Sequence, residues 1–106
     1  MAERQLNIAA AAVRDLDAAR RWLTQPGAGA RATRRFLALA SAVQDLQEHP
    51  CRWPVGERAG LRERPVEGYR ILYVVTPDTG GDATAGDVTV LRIFGPGQDR
   101  TDPRAG

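Results

Sequence analysis

Residues 60–75 read GLRERPVEGYRILYVV, and this stretch decides the fold because it holds the clearest strand pattern in the chain. Tyr69–Thr76 is rich in aromatic and β-branched residues, which predicts a β-strand. Gly68 precedes that strand, where a tight turn needs a residue with an unrestricted φ angle, so Leu61–Val66 is predicted to be the first arm of a β-hairpin. Both arms carry arginines among apolar residues, and function must account for that combination.

Two amphipathic helices and a short strand are predicted upstream of the hairpin. Apolar residues recur at three- and four-residue steps from about Ala9 to Leu23, and a stronger apolar stripe runs from about Ala30 to Glu48. Residues 24–29, TQPGAG, interrupt the periodicity and predict a short connection between the helices. Arg4–Ile8 alternates polar and apolar residues, which favours a short strand.

The C-terminal third completes an α+β pattern. Val88–Phe94 is predicted to be the last strand, and Pro77–Asp87 is predicted to be a long, mobile connection leading to it. The order of elements predicts a short N-terminal strand and a helical hairpin packed on one face of a three-stranded antiparallel sheet. Residues 1–100 should form a single domain, and residues 101–106 should form a frayed tail.

Composition limits the function classes. The chain has 106 residues, of which 42% are hydrophobic, as expected for one soluble domain. All fifteen basic residues are arginines in a chain of net charge +2. Two explanations of this bias stay open, a G+C-rich coding sequence or binding of phosphates and carboxylates. Without lysine, Schiff-base chemistry is excluded. The N-terminus does not resemble a signal peptide, and no apolar run is long enough to span a membrane, so a cytoplasmic protein is expected.

The sequence shows no residue pattern typical of a catalytic triad, a cysteine nucleophile or a metal site. His49 is the only histidine and stands at a predicted helix end, where a capping role is favoured over a triad or a metal site. Cys51 is the only cysteine and is predicted to be a packed or idle thiol rather than a nucleophile. The tyrosines are expected in the core, with satisfied hydroxyls. A general base would have to be Glu63, Glu67 or a tyrosine, and no cofactor is predicted.

The arginines of the predicted sheet are the candidate functional residues. Arg62 and Arg64 share one face of their strand, and Arg70 and Arg92 lie in the two following strands. If the strand registers permit, these side chains gather on the sheet surface that the helices leave uncovered. In the alternative interpretation, each pairs with a nearby acidic residue on a solvated face.

Five segments in a fixed order carry a family resemblance: AVRDLD at 12–17, HP at 49–50, GLRE at 60–63, GYRILY at 68–73 and VLRIF at 90–94. With them the chain resembles the RelE/ParE toxins of bacterial type II toxin–antitoxin systems. The resemblance implies a helical hairpin against a curved antiparallel sheet, and a cognate antitoxin that wraps the toxin.

The resemblance covers two mechanisms. RelE-like members are ribosome-dependent mRNA endonucleases that use lysines and arginines on the sheet and a C-terminal tyrosine, whereas ParE-like members bind and poison DNA gyrase. Arg70 matches the arginine of the GYR segment in this family, but the chain has no lysine and no tyrosine after Tyr73. Its GLRE and LRIF segments are more similar to ParE-like chains, although Gly95 stands where many of those have a histidine.

The resemblance therefore implies a ParE-like inhibitor of DNA gyrase that acts by binding and is neutralised in a toxin–antitoxin hetero-oligomer, without a cofactor, a metal or a membrane. The implied target-binding residues are Arg62, Arg64, Arg70, Arg92, Phe94, Gln98 and Arg100. If the chain instead cleaves mRNA on the ribosome, the implied catalytic residues are Arg62, Arg64, Arg70 and Arg100. A third interpretation is a non-toxic binding module.

Overall fold

The computed structural model describes residues 3–56 and 60–96. The predicted α+β fold class is confirmed, and the elements are β1 (Leu6–Ile8), α1 (Ala10–Leu23), α2 (Gly29–Asp45), β2 (Arg62–Val66), β3 (Tyr69–Thr76) and β4 (Asp87–Phe94). The predicted tail at residues 101–106 lies outside the described residues, so the predicted domain bounds stay a prediction.

The two helices form as their apolar periodicity predicts. Three consecutive alanines open α1, where their high helix propensity compensates for the absence of a side-chain cap. At its end the Thr24 hydroxyl and amide both donate to the carbonyl oxygen of Arg20. α2 ends three residues before the expected Glu48, because the chain tightens into bonds of the i to i+3 type, such as the one from the Gln47 amide to the Gln44 carbonyl oxygen. Neither helix is long and apolar enough to cross a membrane, within the residues described.

The sheet has four strands in the order β1-β4-β3-β2. The prediction of a three-stranded sheet is therefore wrong by one strand, because the short N-terminal strand β1 joins the sheet. β1 pairs in parallel with β4, with Leu6 opposite Val88 and Ile8 opposite Val90. A parallel pair needs a long crossover, and the helical hairpin and the β2–β3 hairpin together provide it. β1 is only three residues long and therefore covers only the first part of the outer edge of β4.

The β2–β3 hairpin is the predicted one, with antiparallel pairing from Val66 opposite Tyr69 to Arg62 opposite Tyr73. Glu67 and Gly68 form its two-residue loop, with φ angles of 51° and 83°. Two successive positive φ angles are typical of the turn that matches the twist of paired strands, and Gly68 adopts its angle at little cost.

The core lies between the helices and one face of the sheet. β3 alternates strictly, because Ile71 and Tyr73 are fully buried while the residues between them are half-buried. Val88 and Val90 extend this apolar face across β4, and Leu39 of α2 covers it. The opposite face of the sheet is not covered by either helix.

The β3–β4 connection was predicted to be mobile, but it is bonded to the segment that precedes β1. The Arg4 guanidinium donates to the carbonyl oxygens of Gly86 and Ala85, each at 3.0 Å, and to that of Asp82. Gly86 also lies where a Cβ atom would come within 2.0 Å of the Thr76 carbonyl oxygen, so only glycine fits there. These contacts make the connection a packed part of the fold.

Candidate target-binding surface

Arg62 lies on the helix-facing side of the sheet, opposite the buried Tyr73, and is itself 7% exposed. Its Nε and Nη2 atoms donate to the two carboxylate oxygens of Asp78 at 2.7 and 2.9 Å. Nη1 donates to the carbonyl oxygen of Trp53. The hydrogen bonds to Asp78 raise the pKa of Arg62 and lower the pKa of the Asp78 carboxyl. The guanidinium of Arg62 thus joins β2 to two loops and presents almost no surface to a partner.

Arg64 also faces the helices. Its guanidinium stacks on Trp53, 3.8 Å from the ring centroid, and donates to the Ala42 carbonyl oxygen at 2.8 Å. Asp45 at the end of α2 forms an ion pair with it at 3.3 Å. Arg64 therefore attaches the end of α2 to the loop that Trp53 anchors.

Arg92 pairs with Asp15 of α1 at the edge of the sheet. Its Nε and Nη2 atoms donate to the Asp15 carboxylate at 2.8 and 3.1 Å. The same carboxylate accepts the Ile93 amide at 2.8 Å, beyond the point where β1 ends. The side chain of Asp15 therefore takes the place of a strand neighbour there. The Arg92 guanidinium also lies over the Phe94 ring, 5.0 Å from its centroid.

Arg70 is the most available of these arginines. Its side chain is 39% exposed, and its ion pair with Glu63 is long, at 3.8 Å. Its β4 partner is Phe94, and Leu72 two residues on is opposite Arg92, so Arg70, Phe94 and Arg92 lie on the sheet face that the helices leave uncovered.

The expected gathering of the sheet arginines on one uncovered surface is wrong for Arg62 and Arg64. The register places them opposite Tyr73 and Ile71, which belong to the buried face. Gln98 and Arg100, the other two predicted binding residues, lie outside the described residues. The residues that sequence reasoning missed are Asp15 and Asp78, because nothing local in the sequence links them to arginines far along the chain.

A groove of about 420 Å³ lies where α1 meets the ends of β3 and β4. Trp22 stands on its rim, 67% exposed, and Arg35 of α2 faces it from the other helix. Arg35 donates to the Glu67 carbonyl oxygen at 2.9 Å. The remaining lining residues are Asp15, Ala18, Ala19, Tyr69, Ile93, Gly95 and Pro96.

Two side chains that could transfer protons, Tyr73 and Cys51, are poorly placed for it. The Tyr73 hydroxyl is fully buried and donates to the Pro50 carbonyl oxygen at 2.7 Å, and burial raises its pKa to about 12. Burial likewise raises the pKa of the Cys51 thiol, which contacts Asp78. The prediction of a core tyrosine with a satisfied hydroxyl is confirmed for Tyr73.

His49 lies four residues after the last residue of α2 rather than directly at the helix end as predicted, and its backbone amide donates to the Asp45 carbonyl oxygen. Its ring lies 3.5 Å from Asp82. Ligand atoms of Asp45, Glu48 and His49 come within 4.8 Å of one another, although Asp45 is already paired with Arg64.

Comparison with known proteins identifies the family. The family model for the ParE toxin of the type II toxin–antitoxin system parDE matches residues 6–99. Among solved structures, a chain of the chromosomal ParDE toxin–antitoxin system from P. aeruginosa has the same fold, with a TM-score of 0.63 and 19% identity over 89% of this chain and 97% of that one. No curated protein matches the sequence. With the matched region extending from β1 to beyond β4, the chain belongs to the ParE toxin family of type II toxin–antitoxin systems.

Proposed function

We propose that this chain inhibits DNA gyrase in the cytoplasm by binding to it, and that a cognate antitoxin neutralises it in a hetero-oligomer. The observation that carries the proposal is the sequestration of two groups that RNA cleavage would be expected to use, the Arg62 guanidinium and the Tyr73 hydroxyl. Arg62 is enclosed by Asp78 and backbone carbonyls, and the Tyr73 hydroxyl is bonded in the core. The described side chains of the outer sheet face are arginines and apolar residues, which are better suited to contact with a protein target than to proton transfer.

Arg70, Arg92 and Phe94 are the proposed contact residues of that face, and Arg70 is the most exposed of them, since the Arg92 side chain is 15% exposed and Phe94 is 4% exposed. Arg70 is partly exposed and weakly paired, so it can form a charge-assisted hydrogen bond with a target carboxylate or phosphate. Asp15 fixes the orientation of Arg92, which lies over Phe94. Gln98 and Arg100, which lie outside the described residues, stay proposed contact residues from the sequence. Arg62 and Arg64 support it from the other side of the sheet.

Controlled expression without an antitoxin tests the target. The expected result is growth arrest with DNA breaks that depend on gyrase, and inhibition of purified gyrase by the purified chain. Ribosome-dependent mRNA cleavage would instead support the endonuclease alternative, with Arg62, Arg64, Arg70 and Arg100 in catalytic roles. A chain that arrests nothing when well expressed would be the non-toxic binding module.

Antitoxin binding is proposed for the groove beside α1 and for the sheet edge next to it. Beyond Val90 this edge of β4 has no strand neighbour among the described residues, so an added strand could pair there if it displaced the Asp15 carboxylate from the Ile93 amide. The groove offers Trp22, Tyr69 and Ile93 to an apolar side chain. Hydrogen exchange should slow at Trp22 and along β4 when the antitoxin is added. Unchanged exchange there, with binding demonstrated by another method, would contradict this location.

A further inference from the structure

Positive charge is concentrated at the tip of the helical hairpin. Residues 17–35 contain five arginines and one acidic residue, giving +4, in a chain whose total is +2. The rest of the chain therefore carries −2. The connection between α1 and α2 is only five residues long, so the last turns of α1 and the first turns of α2 lie side by side. These arginines are Arg20, Arg21, Arg31, Arg34 and Arg35.

Few acidic groups offset this charge. Asp17 accepts from both Arg20, at 2.6 Å, and Arg21, so one carboxylate serves two guanidinium groups. Arg31 and Arg34 are exposed on the first turns of α2. Arg35 is held by the Glu67 carbonyl oxygen, and Asp15, the other acidic residue of α1, is bonded to Arg92.

An exposed indole lies within the same region. Trp22 is 67% exposed and lines the groove that Arg35 also lines. Within residues 17–35 it is the only exposed large apolar side chain, and the next one along the chain is Leu37, 58% exposed and three residues after Arg34 on α2. A protein interface needs a buried apolar centre, whereas nucleic-acid interfaces are more polar and more positive. A guanidinium cluster with one flat aromatic ring fits phosphates and an unstacked base.

We propose that the tip of the helical hairpin binds single-stranded nucleic acid, with Arg31 and Arg34 on the phosphates and Trp22 stacked on a base. This surface lies on the helices and is separate from the outer sheet face proposed for gyrase. It shares Trp22 with the groove proposed for the antitoxin, so the antitoxin and the nucleic acid would compete for that side chain. A chain with both surfaces could contact an enzyme and the nucleic acid that the enzyme holds.

Fluorescence anisotropy of a labelled oligothymidylate with the purified chain, in the absence of gyrase, tests this surface. The double variant Arg31→Gln/Arg34→Gln should bind more weakly, and the negative slope of log affinity against log salt should become shallower by about 1.4, because each arginine that no longer neutralises a phosphate reduces its magnitude by roughly 0.7. The control Arg14→Gln/Arg52→Gln removes the same charge elsewhere and should keep the slope. Trp22→Ala should weaken binding about tenfold.

Equal losses in the two double variants would show a nonspecific charge effect and overturn the proposal. Binding of polyglutamate, but not of the oligonucleotide, would assign the surface to an acidic protein segment and also overturn it. Circular dichroism confirms that each variant is folded. Gyrase inhibition is measured in a separate assay, so a chain that fails to inhibit gyrase can still pass or fail the oligonucleotide-binding test.

Discussion

Arg62 and Asp78 form a two-pronged ion pair that connects the first residue of β2 to the β3–β4 connection, with nitrogen–oxygen distances of 2.7 and 2.9 Å. Because the pair is largely buried, removing one partner is costly, since the other charge then stays buried without its counter-ion. Arg62→Ala would remove both guanidinium bonds to the Asp78 carboxylate, which would keep the Gly80 amide, and would remove the donor to the Trp53 carbonyl oxygen. We expect a loss of about 2–4 kcal/mol in the free energy of unfolding, measured by urea denaturation. Arg62→Ala with wild-type stability would contradict a structural role.

Arg70 should behave in the opposite way. Its side chain is partly exposed and its ion pair with Glu63 is long, so Arg70→Ala should change the free energy of unfolding by no more than about 0.5 kcal/mol. The same variant should inhibit gyrase less than the wild-type chain does in a supercoiling assay. Arg14→Ala, at an exposed position on α1, is the matched control and should retain full inhibition. Equal inhibition by Arg70→Ala and wild type would remove Arg70 from the contact surface.

The ion pair of Asp78 determines how its carboxyl group changes the free energy of unfolding at acid pH. Its pKa in the folded chain is lowered by the hydrogen bonds from Arg62, relative to an ordinary value of 3.8. A group with a lowered folded pKa stabilises the fold above its unfolded pKa, and this contribution is lost as the pH falls toward the folded pKa. Unfolding free energy should therefore fall as the pH drops below about 4, and Asp78→Asn should show a shallower fall. Parallel pH profiles for the two chains would contradict this assignment.

The elements that the sequence predicts well are those with strong periodicity. Tyr69–Thr76 has the bounds expected from its β-branched and aromatic residues, because burial of alternate side chains requires that pattern. The partner of β1 was not predictable, since three residues cannot specify which edge of a sheet they join.

The candidate surface was only partly predictable. Arg92 and Asp15 are 77 positions apart, and any acidic residue could in principle pair with that arginine. The face occupied by Arg62 depends on the register with Tyr73, and alternation within one strand does not say which face the helices cover. The sequence alone therefore could not show which charged side chains meet in the folded chain or which face of the sheet they occupy.

The Tyr73→Phe variant tests whether the Tyr73 hydroxyl has a structural role or a catalytic one. Tyr73→Phe keeps the buried ring but leaves the Pro50 carbonyl oxygen without its donor, so we expect a loss of about 1–2 kcal/mol in unfolding free energy. Toxicity on induction should persist, since the hydroxyl is inaccessible to any substrate in this fold. Loss of toxicity in a variant that remains folded at the growth temperature would favour the RNA-cleaving alternative.

Asp15 should control both the edge of β4 and the orientation of Arg92. Asp15→Ala removes the acceptor of the Ile93 amide and the partner of Arg92, two contacts that a 14% exposed carboxylate now makes. We expect a loss of about 2–3 kcal/mol in unfolding free energy and faster hydrogen exchange of the Ile93 amide. Asp15→Asn is the matched control, because its carbonyl oxygen can still accept one of these bonds and its exchange rate should be intermediate. If the Ile93 amide exchanged at the wild-type rate in Asp15→Ala, a neighbour other than Asp15 would have to protect this edge, and the edge would be a weaker candidate for strand addition by the antitoxin.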